Sequence, residues 1–175
     1  MLKLPVHRLT RFILVSPHYP ENVGACARAL KTMGFTRLGL VRPSRLALPD
    51  HPMACKMAVK SLDVLERAEL FDNLDEALVG SAMAVATTAR RGVSGVMSPR
   101  QSAERALAAC AQGHQVSFVF GNEKTGLTNQ ELARVGLTLR IPMAADQPSV
   151  NLAQATQIVA YELFSAALLQ RTRVP

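Results

Sequence analysis

Short β-branched apolar runs alternate along this chain with longer segments of helical period, and that alternation is the strongest constraint on its fold. Strands joined in sequence by helices lie parallel in one sheet, and the helices cover its faces. Phe12–Val15, Leu38–Val41, Ala82–Ala86, Val116–Phe120 and Leu137–Ile141 read as strands. Helices are predicted from Asn22 to about Met33, Ala54 to Leu65, Leu74 to Val79, Pro99 to Ala111, Asn129 to Val135 and Asn151 to about Gln170. Asn22 is placed to cap the first of these and Gly34 to stop it. Pro99 sits at a first turn, where its missing N–H costs nothing. In the closing helix Leu152, Ala155, Val159, Leu163 and Ala166 share one face. The fold class expected is α/β, a largely parallel sheet with helices on both faces.

No Gly/Ser linker, repeat or charge block divides the 175 residues, so a single domain over 1–175 is expected. Lys and Arg number 20 against 13 Asp and Glu, a net charge of +7. Most of the cations are Arg, the better fork for phosphate oxygens, and the excess points to a polyanionic partner. The apolar stretch Ile158–Leu169 contains Glu162 and falls short of the ~20 residues of a membrane span. Met1 to Pro5 leads straight into charged residues with no apolar core of a leader, so a cytoplasmic protein is expected. Cys26, Cys55 and Cys110 have no paired spacing, and His7, His18, His51 and His114 no metal-ligand spacing. No disulfide framework and no metal are expected.

Ligands of open α/β sheets bind beyond the carboxyl ends of the strands, and three strand-end loops are polar. The first runs from Ser16 to Arg28, with Asn22 and Gly24 opening a helix whose N–H groups suit an anion. Read by themselves, Asn22 is a capping residue and Arg28 a surface cation. The second, Phe120-Gly-Asn-Glu-Lys-Thr-Gly-Leu127, has two glycines five positions apart. A phosphate loop requires Lys and Ser/Thr after the second glycine, and Leu127-Thr128 stands there instead, which excludes that class of nucleotide hydrolase. Glu123 is placed to accept hydrogen bonds or to pair with Arg28. The third runs from Ile141 to Ala155, where Ser149 and Asn151 are each suited to cap the last helix. No dinucleotide fingerprint and no nucleophile elbow is present.

Asn22-x-Gly24-x-x-x-Arg28, Phe120-Gly-x-Glu123-x-x-Gly126-Leu127 and Ile141-Pro-Met…Ser149-Val-Asn151-Leu-Ala-x-Ala155 resemble, in order, the three motifs of the SPOUT-class (TrmH-like) RNA 2′-O-ribose methyltransferases. The similarity runs from about Phe12 to Leu163. Ala29–Phe35, Asn73–Leu78, Thr87–Arg90 and Gln157–Glu162 are most similar to the branch that methylates tRNA at position 32 of the anticodon loop. The resemblance implies a C-terminal trefoil knot and S-adenosylmethionine as methyl donor. It assigns Thr87, Thr88, Ala89, Gly121, Ile141, Met143, Ser149, Val150 and Leu152 to the cofactor. A homodimer is implied in which Arg28 of one protomer meets the cofactor pocket of the other. Arg28, Asn22, Glu123, Ser149 and Asn151 form the implied catalytic set, with Arg28 orienting the ribose hydroxyl rather than taking its proton, since Arg stays protonated. The family's usual Leu after the third-motif Ser is Val150 here. No separate RNA-binding domain is expected, so phosphate contacts fall to Arg8, Arg11, Arg42, Arg45, Arg90, Arg91 and Arg100. The same chemistry on ribosomal RNA or the tRNA wobble position, and a silent knotted RNA binder, are the alternatives.

Overall fold

A computed structural model of the chain describes residues 4–144 and 146–173. Of the leader reading at Met1 to Pro5, residues 1–3 lie outside the described residues. Six strands, β1 (Thr10–Val15), β2 (Leu38–Val41), β3 (Glu69–Phe71), β4 (Ser81–Thr87), β5 (Gln115–Phe120) and β6 (Leu137–Leu139), form one sheet in the order β3-β2-β1-β5-β4-β6. Every strand pair is parallel. The carboxyl ends of all six strands therefore lie on one side. β3 has no counterpart among the strands read from the sequence, because three residues at a sheet edge, two of them exposed, carry no alternation to detect.

The helices are α1 (Pro5–Leu9), α2 (Pro20–Thr32), α3 (Pro52–Ala58), α4 (Leu62–Glu66), α5 (Leu74–Leu78), α6 (Pro99–Ala111), α7 (Asn129–Val135) and α8 (Leu152–Arg173). β1 is buried along its whole length, and its side chains alternate between two cores. Phe12 and Leu14 join the larger core with Val23, Leu30, Phe118, Phe120, Val159 and Leu163, under α2, α6 and α8. Ile13 and Val15 join the smaller core with Leu74, Ala77, Val119, Leu127 and Val135, under α5 and α7. Helices thus cover both faces, as the alternation of the sequence requires.

Several local expectations are corrected. Asn22 is not the cap of α2: Tyr19 is, with Pro20 in the first turn, so Asn22 lies inside the helix with its amide available for other work. The helix read as Ala54 to Leu65 is two, because Val59 takes a left-handed φ of 54° and Lys60 gives its carbonyl to the Lys31 ammonium. Thr128 rather than Asn129 caps α7, its hydroxyl accepting from Glu131 N–H. α8 is longer and more apolar than the sequence reading allowed: over Leu152–Arg171 its mean hydropathy is 1.2, enough by length and composition to cross a membrane. Leu152, Ala155, Val159, Leu163 and Ala166 are all buried, which makes α8 a core helix packed on α2 and α6.

Gly24 decides how closely α2 meets α3. A Cβ there would lie 2.0 Å from the Ala54 carbonyl oxygen, so any other residue separates the helices. Its role is helix packing, not approach of an anion.

Candidate active site

The site begins where β1 ends. Ser16 takes φ 49°, a left-handed conformation that costs roughly 1–2 kcal/mol for a non-glycine residue. Ser16 N–H donates to Val41 O at 2.7 Å, and its carbonyl accepts from Asn122 Nδ2 at 2.7 Å. Asn122 also organises its own loop after β5: its side-chain oxygen accepts from Lys124 N–H at 2.9 Å and Thr125 N–H at 3.2 Å. Gly126 N–H closes the turn onto the Asn122 carbonyl at 2.9 Å. Gly121 is required here, since a Cβ would lie 2.3 Å from Gly126 C and Leu127 N.

That turn aims Glu123 at the start of α2. Its carboxylate accepts from His18 N–H at 2.9 Å, Tyr19 N–H at 3.2 Å and Asn22 Nδ2 at 3.0 Å. An anion was expected at this helix start, and the protein supplies one from its second loop, where the helix dipole favours it. Glu123 was also expected as a possible partner of Arg28, but its three hydrogen bonds go elsewhere. Asn22 passes the connection on, because its Oδ1 accepts from Asn151 Nδ2 at 3.0 Å. Asn151 Oδ1 accepts in turn from Ala153 N–H at 2.9 Å and Gln154 N–H at 3.3 Å, so Asn151 caps α8 while it joins the network. The direction of each amide is fixed: the N–H groups of α8 demand an oxygen of Asn151, its NH₂ demands the oxygen of Asn22, and the NH₂ of Asn22 is left for the carboxylate.

Beside this network lies a cavity of about 290 Å³, near the lower end of small-molecule sites. All nine residues expected to hold the cofactor line it: Thr87, Thr88, Ala89, Gly121, Ile141, Met143, Ser149, Val150 and Leu152. Glu123 shares the wall, with Leu127 and Ala155 adding apolar surface. Arg90 ties two of the loops together, its guanidinium donating to Leu127 O and Asn129 Oδ1. Thr87 Oγ1 donates to Val119 O at 3.2 Å, and Thr88 N–H to Leu139 O at 2.9 Å. The segments after β4 and β5 are thus tied to each other and to strands β5 and β6. Among the described residues no group of three or more His, Cys, Asp or Glu is placed to hold a metal ion.

Arg28 stands apart from its own cavity. It is exposed on α2, in an open groove with Ala25, Thr32, Val150, Gln154 and Gln157. Val150 borders both groove and cavity. Among the described residues the Arg28 guanidinium has no partner. Deeper in α2, burial pushes the Cys26 thiol up to about 12, with the charge of Glu123 acting in the same direction and the Thr156 hydroxyl against it.

The expected phosphate contacts divide. Arg11 is corrected: it lies at the amino end of β1, away from the strand-end loops, and is 9% exposed. Its guanidinium donates to Ala77 O at 2.8 Å and Glu69 Oε2 at 3.3 Å and lies over the Phe71 ring, so it pins α5 and β3 to the sheet. Arg42, Arg91 and Arg100 are exposed and paired with Glu131, Asp146 and Glu162. Arg45 is exposed and, among the described residues, without a side-chain partner. Sequence reasoning missed Asn122 and the structural work of Arg90. A Gly-Asn turn opening at a strand end was the available signal for the former.

The chain matches the SpoU rRNA Methylase family over residues 10–161. It is 41% identical to a tRNA (cytidine/uridine-2′-O-)-methyltransferase TrmJ of Photorhabdus laumondii, over 93% of this chain and 67% of that one. Against further curated TrmJ relatives it spans just under two-thirds of their length. Among solved structures, TrmJ from Z. mobilis ZM4 superposes with a TM-score of 0.80 at 37% identity, over 89% of this chain and 69% of that one. A structure described as giving insight into the 2-OH methylation of C/U34 on tRNA superposes with a TM-score of 0.73 at 30% identity, over 93% of this chain and 97% of the other. With its second and third motifs around one cavity, the first joined to them through Asn22, and its sequence matched from β1 into α8, this chain belongs to the SpoU methylase family.

Proposed function

We propose that this protein transfers a methyl group from S-adenosylmethionine to a ribose 2′-hydroxyl of tRNA. The observation that carries the reading is the convergence of the nine cofactor-assigned residues on one cavity whose wall includes Glu123, the end of the Asn151–Asn22–Glu123 chain. The cavity fits the cofactor in kind: Ile141, Met143, Val150 and Leu152 offer an apolar wall, and the Thr87–Ala89 and Gly121 segments bring backbone and hydroxyl groups to it. When bound, the cofactor supplies an electrophilic methyl group. The residues of this chain supply placement, and well-placed reactants reach effective molarities of ~10⁵ M or more.

Arg28 is the catalytic residue of this reading. A ribose hydroxyl attacks poorly while it keeps its proton; a guanidinium beside it orients the hydroxyl and stabilises the charge that develops as the oxygen takes the methyl group and releases its proton to water. Because Arg28 lies outside the lining of its own cavity, a homodimer in which it serves the partner's cavity accounts for its place. Glu123, Asn22 and Asn151 are positioning residues that hold α2 and α8 to the cavity wall, and Ser149 lines the cavity where the ribose and cofactor meet. β6 lies at the sheet edge and the next helix in the chain, α8, packs on α2 and α6, an arrangement that suits the trefoil knot expected of the fold. The setting is cytoplasmic, the residues 1–175 act as one domain, and no metal takes part.

The target is read as position 32 of the anticodon loop. The name of the matched family favours ribosomal RNA as the second substrate reading, and the C/U34 relative favours the wobble position. Incubation with labelled S-adenosylmethionine and unmodified tRNA, beside Arg28→Ala, tests the reading. Transfer that disappears in the variant and maps to position 32 is expected. Transfer only to ribosomal RNA, or mapping to position 34, redirects the substrate. Cofactor binding without transfer to any RNA leaves the silent binder.

A further inference from the structure

Tyr19 touches two residues of the cavity wall, Glu123 and Lys124, yet neither the cofactor cavity nor the hydrogen-bond network uses its ring. It is 39% exposed, and its side chain makes no capping bond to α2. Its backbone N–H is held by Glu123 at 3.2 Å, so the main chain that carries the ring is tied to the cavity wall. Lys124, which lines the cavity, places its ammonium 5.4 Å from the Tyr19 ring centroid. The His18 ring meets it edge-on, with centroids 4.8 Å apart. Among the described residues Tyr19 and Tyr161 are the exposed Phe or Tyr rings, and Tyr161 lies away on α8.

We infer that Tyr19 is a stacking platform for an unpaired RNA base at or flanking the target nucleotide, with Lys124 taking a neighbouring phosphate. The inference rests on the RNA-methylating reading above and deepens it. An exposed ring braced by a cation and an imidazole edge is the arrangement that single-stranded RNA bases stack on, because every base offers a π-face and every linkage a negative charge.

The chain has no Trp and only two Tyr, so Tyr161→Phe leaves Tyr19 as the sole strong fluorophore. Titration of that protein with unmodified tRNA, corrected for RNA absorbance, is expected to quench Tyr19 emission saturably, at the midpoint seen by gel shift. Tyr19→Ala is expected to weaken tRNA binding about tenfold, the effect of one lost base–aromatic stack. Its melting temperature and its affinity for S-adenosylmethionine stay at wild-type values, and Tyr19→Phe restores binding to within about threefold. Unchanged emission on saturation with tRNA, or Tyr19→Ala binding as tightly as wild type, overturns the platform while the methyltransferase reading stands. Wild-type protein that binds no RNA overturns both.

Discussion

Asn22 donates its side-chain amide to Glu123 Oε1 at 3.0 Å, joining two residues 101 positions apart. The same amide accepts from Asn151, 129 positions further on. One side chain in the first turn of α2 thereby links the loop after β5 to the start of α8. Removal of Asn22 leaves an oxygen of Glu123 and the NH₂ of Asn151 without this partner.

Asn22→Ala and Glu123→Gln are each expected to destabilise the fold by about 1–2 kcal/mol, as lost hydrogen bonds to partly buried polar groups do. Their double variant is expected to cost less than the sum, with a coupling of about 0.5–1.5 kcal/mol from urea unfolding. Full additivity would show that the bond does not tie the loops.

Arg28→Ala is expected to lower methyl transfer by roughly a hundredfold or more, the scale of removing one charge-stabilising donor. Arg28 is exposed and unpartnered among the described residues, so the melting temperature and cofactor affinity should not change. Mixing Arg28→Ala with a cavity-disabled variant such as Gly121→Val should recover activity through heterodimers if Arg28 serves the partner's cavity. The absence of recovery would place its action within one protomer.

Arg90 and Arg91 separate, although adjacent in sequence. Arg90 bonds Leu127 O and Asn129 Oδ1 and lines the cavity, whereas the Arg91 side chain is 86% exposed and, among the described residues, pairs with Asp146. Arg91→Glu is expected to weaken RNA binding and reduce its salt slope by about 1 while leaving cofactor affinity alone. Arg90→Glu is expected to weaken both. Equal effects of the two on calorimetric cofactor binding would contradict the assignment.

The Cys26 thiol, with its pKa pushed to about 12 by burial, keeps its proton in the native state where the unfolded thiol, near 9.0, loses it. Above about pH 9 the unfolded chain binds fewer protons, so this group lowers stability as pH rises, at up to ~1.4 kcal/mol per pH unit, until the native thiol also ionises. Cys26→Ala should flatten the fall in stability between pH 9 and 10.5 relative to wild type. In native protein a thiol reagent should label Cys55 first, since Cys26 and Cys110 are buried.

Gly24→Ala is expected to destabilise by about 1–3 kcal/mol, since its Cβ would lie 2.0 Å from the Ala54 carbonyl and force α2 from α3. As α2 carries Asn22 and Arg28, activity should fall with stability. A variant as stable as wild type would show that the two helices give way freely.

The sequence determined what depends on local period and composition. Five of the six strands, both faces of β1, the apolar stripe of α8 and the left-handed Gly34 that ends α2 follow from the spacing of apolar, proline and glycine residues. The three polar loops and their order followed too, and the residues that the motif resemblance assigns to the cofactor line one cavity. Tertiary structure decided what spacing does not encode. Nothing local says that β1 lies beside β5 or that β4 separates β5 from β6, yet that order brings Asn22, Glu123 and Asn151 within hydrogen-bond reach. Nothing local distinguishes Arg11, sealed against Ala77 and Glu69, from Arg45, open to solvent. Local period sets which face a side chain takes, whereas its neighbours on that face depend on contacts between segments far apart in the chain.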